Sequence, residues 1–247
     1  MRKEPITVYW SPAQFIADEE SYNLMYQEPK SIADKFFSSL YNGSASLKCP
    51  ASRFFFQNVF SLNSTITNEF EFPQGLLEDV YHDSGMHYDL PVDSNVKLGK
   101  SRENQMEGYV NLEYNHSWFF FSDEDLTMRY SAPYYPATSP VEGALLASGA
   151  FNIGRWFRPV NLEYYVPVDA RGFSVKEDDP LAFVQFETDR PVVFKRFILT
   201  NKIAKLTTEI VQSDRYGFLK NLVDRYKLFT KTNMRELLLR EIKQNLL

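Results

Sequence analysis

Residues 149–206 limit the fold more than any other stretch, because they hold several short apolar runs in close succession. Side chains alternate between apolar and polar at 173–176, the period of a strand with one buried face. Residues 181–186 and 192–199 are apolar enough to form central strands, and they are joined at 189–191. The stretch therefore predicts antiparallel β-sheet.

Residues 106–114 show the cleanest alternation in the chain, with apolar side chains on one parity and polar or tyrosine side chains on the other. Asn115 and His116 follow and predict a turn, after which residues 117–121 would form the returning strand.

Within residues 54–62, Phe54, Phe56, Phe60 and Leu62 fall on one parity, with Gln57 and Ser61 on the other, which predicts another strand. The connection at 63–65 suits a hairpin to an amphipathic strand at 69–72. Residues 73–105 lack a steady period and predict a long loop.

Helical spacing appears at both ends of the chain. Ser31 is a plausible N-cap for a helix that ends at Leu40. In the tail, Asp214 would cap one helix, and Asn233 with Glu236 resembles a capping box for a second.

Aromatic residues make up 16% of the 247-residue chain, and such residues favour pleated, half-buried surfaces. Together the patterns predict a mainly β protein, an antiparallel β-sandwich of jelly-roll or cupin-like form. A short N-terminal helix and a C-terminal helical pair complete it. We place the sandwich at residues 1–206 and a helical hairpin packed on it at 207–247.

The formal net charge is −5, so no overall positive field attracts nucleic acid. From residue 195 onward twelve Lys and Arg stand against five Asp and Glu, which makes the tail basic and the rest acidic. The N-terminus lacks the apolar core of a signal peptide, and no apolar run reaches the ~20 residues of a membrane span. We therefore expect no secretion through a signal peptide and no membrane partner.

An aromatic and basic cluster formed by Arg155, Trp156 and Arg158 is the first candidate binding site. The indole would stack on a base, a sugar or a partner's aromatic ring, and the arginines would bind phosphate or carboxylate. The alternative is a core tryptophan whose flanking arginines pair with the acidic body. A small-molecule or glycan-binding sandwich around Trp156 is therefore one alternative function.

A His-x-Asp triplet, His87 and Asp89, is the candidate metal site, with His116 as the third ligand. In jelly-roll non-haem iron oxygenases this spacing lets an imidazole and a carboxylate bind one face of Fe(II). This local likeness is the basis of a second alternative function. The simpler alternative is that His87 is a polar residue in a solvated loop.

The chain contains no phosphate-binding loop, no dinucleotide-binding glycine motif and no nucleophile elbow. Glu177, Asp178 and Asp179 stand before Pro180, but no calcium-binding loop sequence follows, so a turn between strands explains them. We nominate no catalytic residue and no cofactor, and a non-enzyme is favoured.

At two places the chain resembles a loose group of proteins encoded by tailed, T4-like phages of marine bacteria. One is LKCPASRFFFQNVFSL, and the other is GAFNIGRWFRP together with DDPLAFVQFETDRPVVFKRF and the basic helical tail. In that group a Gly-Asp pair often fills the acidic turn, where this chain has Asp178 and Asp179.

The resemblance implies a phage origin and a β-sandwich, and it supplies no catalytic residues. We therefore expect a non-catalytic phage protein, either a virion structural component or a host-interaction factor, that acts by protein–protein contacts. Its partner would be a phage or host protein, with homo-oligomer formation left open. Its location would be the host cytoplasm or the virion.

Overall fold

A computed structural model describes residues 3–13, 26–37, 49–71, 96–98, 106–134, 140–212 and 222–247. Strands dominate these residues. The strands are β1 (Ile6–Pro12), β2 (Lys30–Ser31), β3 (Val59–Asn63), β4 (Asn68–Glu71), β5 (Val96–Leu98), β6 (Tyr109–Phe121), β7 (Thr127–Ser131), β8 (Leu145–Leu146), β9 (Gly149–Asn152), β10 (Pro159–Pro167), β11 (Gly172–Val175), β12 (Pro180–Phe186) and β13 (Val192–Arg196). The helices are α1 (Ile32–Phe37), α2 (Pro50–Phe55), α3 (Asn201–Gln212), α4 (Leu222–Lys231) and α5 (Met234–Gln244).

Two sheets face each other. The first sheet has the order β13–β1–β6–β10–β8, with β5 also paired to β6, and the second has the order β2–β3–β12–β7–β9. Strands β4 and β11 form a separate two-stranded sheet. Neighbouring strands run antiparallel except β1 and β13, which are parallel. The predicted mainly β sandwich is confirmed, while its jelly-roll or cupin-like form stays a prediction.

The space between the sheets is filled by side chains of one parity from each strand. Trp118 and Phe120 of β6 point into it and meet Val184 and Phe186 of β12 in one buried cluster. Burying a side chain of this size contributes roughly 1.5–3 kcal/mol. The sandwich is thus held by the alternation that the sequence shows.

The opposite face of the first sheet is covered by the C-terminal helices. Phe119 and Phe121 of β6 pack there with Tyr226 and Phe229 of α4 in a second buried cluster. The run of four aromatic residues at 118–121 therefore serves two cores, with alternate rings pointing to opposite faces. This explains why that end of β6 is apolar on both parities.

The turn predicted at Asn115 and His116 is wrong, because β6 runs unbroken through both residues. Tyr114, His116 and Trp118 are all buried, so the inward parity continues without a shift. The sheet therefore gains one long strand where the sequence analysis placed a hairpin.

The strand predicted at 54–62 is wrong in its first half. Pro50 opens the short helix α2, since its fixed φ suits the first helical position, and β3 begins only at Val59. The hairpin predicted at 63–65 is also wrong, since β3 and β4 lie in different sheets.

Strand β13 was expected to be central, but it lies at an edge of the first sheet and ends at Arg196. Helix α3 was not predicted, and it begins before residue 207, where we placed the start of the helical hairpin. Helices α4 and α5 correspond to the predicted helical pair, although the expected cap at Asp214 lies outside the described residues.

The N-terminal helix α1 begins where predicted, and the backbone N–H of Asp34 donates to Ser31 Oγ at 3.2 Å. Among the described residues, no helix is both long enough and apolar enough to cross a membrane.

Candidate functional site

Trp156 lies at the junction of the sandwich and the helical layer. Its indole stacks on the Tyr226 ring of α4, with centroids 4.5 Å apart and planes 6° apart, and the Phe151 ring lies 6.3 Å away. It packs against both buried clusters. One face of the indole is therefore covered by the protein's own tyrosine, and a ligand stacking on that face would have to displace it.

The two flanking arginines have different surroundings. Arg155 is exposed and forms a bidentate pair with the Asp125 carboxylate, with Nε 2.7 Å from Oδ1. This hydrogen bond holds the pKa of Asp125 below its ordinary value. The Arg158 guanidinium lies 5.8 Å from the centroid of the Phe151 ring. Arg155 thus meets part of the acidic body, as in the structural alternative for this cluster.

His116 is fully buried in the middle of β6. Its imidazole stacks on the Tyr26 ring at 4.2 Å and lies 5.8 Å from the Tyr114 ring, with both interplanar angles below 20°. His87 and Asp89 lie outside the described residues, so the iron site stays a prediction. Within the described ranges, no group of three His, Cys, Asp or Glu residues is placed to hold a metal ion.

The acidic turn predicted before Pro180 is present between β11 and β12. The Asp179 carboxylate accepts the backbone N–H of Lys176 at 2.9 Å, and Lys30 pairs with Asp178 at 2.9 Å. Asp178 adopts a left-handed conformation, with φ of 66°. The position is therefore one where glycine is favoured.

A groove of about 450 Å³ lies on the face of the second sheet that points away from the sandwich core. Strands β7 and β12 supply Arg129 and Gln185, which are directly paired, and Phe183 lies beside them. A volume of a few hundred cubic ångströms is typical of pockets that bind small ligands.

Phe55, Tyr134 and Phe183 line one end of this groove, and Phe56 packs against Phe55 and Tyr134. Tyr134 packs edge-on against Phe183 at 4.9 Å, while Phe55 and Phe56 lie 5.4 and 6.3 Å from Tyr134. Phe183 and Phe56 are buried, whereas Phe55 is 54% and Tyr134 41% exposed. We call the exposed residues Phe55 and Tyr134 the aromatic rim, and Phe54, which precedes Phe55 in α2, is 77% exposed.

The other end of the groove depends on Gly149. A Cβ at this position would stand 2.9 Å from the Tyr130 hydroxyl and ring, so glycine allows the ring to lie against β9. Burial raises the pKa of both Tyr130 and Tyr134 above its ordinary value.

Polar groups line the middle of the groove. Arg129 donates from Nε to the Glu187 carboxylate, and its two terminal nitrogens make no hydrogen bond to any residue the structure describes. Gln185 donates from Nε2 to the Phe55 carbonyl at 3.5 Å, which ties α2 to the sheet. The groove therefore combines a wall of aromatic rings, which we call the aromatic wall (Phe55, Tyr134 and Phe183), with the guanidinium group of Arg129.

Sequence reasoning did not find this groove, because its residues come from α2, β7, β9 and β12 and are distant in the chain. The only local signal is the run of three phenylalanines at 54–56, which has too many apolar residues for a strand with one buried face.

No protein-family model matches the chain, and no curated protein and no solved structure matches it either.

Proposed function

We propose that this chain is a non-catalytic phage protein that acts by protein–protein contacts, as a virion component or as a host-interaction factor. The phage origin rests on the sequence resemblance. The mode of action rests on the aromatic rim, because a contiguous exposed aromatic surface beside a groove is typical of an interaction site.

Exposed phenylalanines contribute little to the stability of the isolated chain, since an apolar ring gains its transfer free energy only when it leaves water. Phe54 and Phe55 lie on a six-residue helix fixed to the sheet below, so they are presented on a rigid support. A partner that covers both rings would gain that free energy without ordering a loop.

Site-specific photo-crosslinking in infected host cells tests the proposal. A benzoylphenylalanine in place of Phe54 is expected to cross-link to one defined protein, which mass spectrometry identifies. The same probe at Leu145, which is 49% exposed on β8 of the first sheet, is the control. Equal and diffuse cross-linking from both positions would contradict the proposal.

Mass spectrometry of purified particles separates the two forms of the proposal. Detection at a fixed copy number supports a virion component. Absence from mature particles removes that form and leaves the host-interaction factor.

A further inference from the structure

We infer that the groove binds a protein segment in which a large apolar side chain stands next to a carboxylate. The inference rests on the proposed function and names the chemistry of the partner. It is carried by the aromatic wall and by the guanidinium of Arg129, which lie in one groove.

The exposed rings of the groove determine the apolar part of the ligand. Phe55 and Tyr134 meet at 60° with centroids 5.4 Å apart, and each leaves part of its surface in water. A flat or branched apolar side chain placed against them would remove that surface from water. Because Phe183 and Phe56 both pack against Tyr134, the wall is already formed before binding.

The acidic half of the ligand is set by Arg129. Glu187 occupies its Nε, and the terminal pair of nitrogens is left for an incoming group. A guanidinium edge with two parallel N–H donors fits a carboxylate by two hydrogen bonds. The nearby charge of Glu187 opposes such a ligand, so removing that charge should strengthen binding.

Three peptides measured on the full chain test this inference. The probes are N-acetyl-Trp-Glu-amide, its neutral Trp-Gln counterpart and N-acetyl-Gly-Glu-amide, with binding followed by NMR shifts of backbone amides. We expect shifts at the groove, with the Trp-Glu peptide bound about threefold to fivefold more tightly than the Trp-Gln peptide, as for one exposed charge pair. The Gly-Glu peptide, which lacks the apolar side chain, should bind most weakly.

Two variants test whether Arg129 causes the difference in affinity between the two tryptophan peptides. Arg129→Gln should make the two tryptophan peptides equal, and Glu187→Gln should widen the difference between them. Arg240→Gln, which removes an exposed arginine from α5, is the matched control and should change nothing.

Equal affinities for the two tryptophan peptides in the unmodified chain would overturn the inference, as would shifts confined to residues outside the groove. Neither result affects the proposed function, which the cross-links from position 54 test separately. If position 54 gives no defined cross-link while the chain still binds the acidic tryptophan peptide more tightly, the proposed function alone is refuted.

Discussion

Replacing Trp156 with alanine should destabilise the protein through the contact between its two cores. The substitution removes the stacking on Tyr226 and the packing against Phe151. Truncating a buried Phe or Trp costs about 3–5 kcal/mol. Trp156 is only partly buried, so we expect a loss of about 2–4 kcal/mol in the free energy of unfolding.

Urea unfolding followed by far-ultraviolet circular dichroism measures this loss. Trp156→Phe keeps an aromatic ring and should cost about 1.5 kcal/mol or less. Val223→Ala, at an exposed position of α4, should stay within about 0.5 kcal/mol of the unmodified chain.

A double-mutant cycle with Tyr226→Leu isolates the stacking. Aromatic pairs contribute about 0.5–1.5 kcal/mol beyond their burial, so a coupling free energy of that size is expected. An unchanged unfolding free energy in Trp156→Ala, with no coupling to Tyr226, would refute the structural role. The ligand-binding interpretation of the cluster would then be favoured again.

Three further substitutions or conditions give separate tests. Gly154→Ala should cost about 3 kcal/mol or more in urea unfolding, because the new Cβ would stand 2.0 Å from the Glu124 carbonyl oxygen. The control Gly108→Ala meets no atom within 4 Å and should cost only the 1–2 kcal/mol or so of its positive φ. Burial raises the pKa of Tyr226 from 10.0 to about 12, so the unfolded chain loses this proton first. Tyr226 alone should therefore contribute a fall in stability of roughly 2–3 kcal/mol between about pH 10 and 12. Tyr226→Phe should reduce the total fall by that amount, and other buried tyrosines such as Tyr114 and Tyr164 contribute the rest. Asp178→Gly relieves the φ of 66° but removes the exposed ion pair with Lys30, so the change in stability should stay within about 1 kcal/mol, and a larger loss would contradict this.

Period-two alternation predicted most of the sandwich, because a strand with one buried face shows its burial directly in the sequence. At 173–176 the buried and exposed positions are those expected. The alternation also continues through 115–116, but Asn115 and His116 were interpreted as a turn. The inward parity of Tyr114, His116 and Trp118 shows that the alternation was the better guide.

Long-range pairing could not be predicted from local patterns. The parallel partner of β1 is β13, about 186 residues later, and it is their hydrogen bonding that places β13 at an edge. Phe54 and Phe55 misled the prediction for a different reason. Aromatic side chains usually indicate burial, but these two are exposed on a helix, and only the fold shows that Phe55 borders a groove.

The central claim is that adjacent rings of β6 belong to different cores. Proton–proton NOEs in the folded chain test it directly, because the Phe120 ring lies 6.2 Å from Phe186 of the second sheet and the Phe121 ring 6.5 Å from Phe229 of α4. We predict NOE cross-peaks between Phe120 and Phe186 and between Phe121 and Phe229, and none between Phe121 and Phe186. Contacts of both β6 rings with the second sheet, and none with α4, would contradict the account.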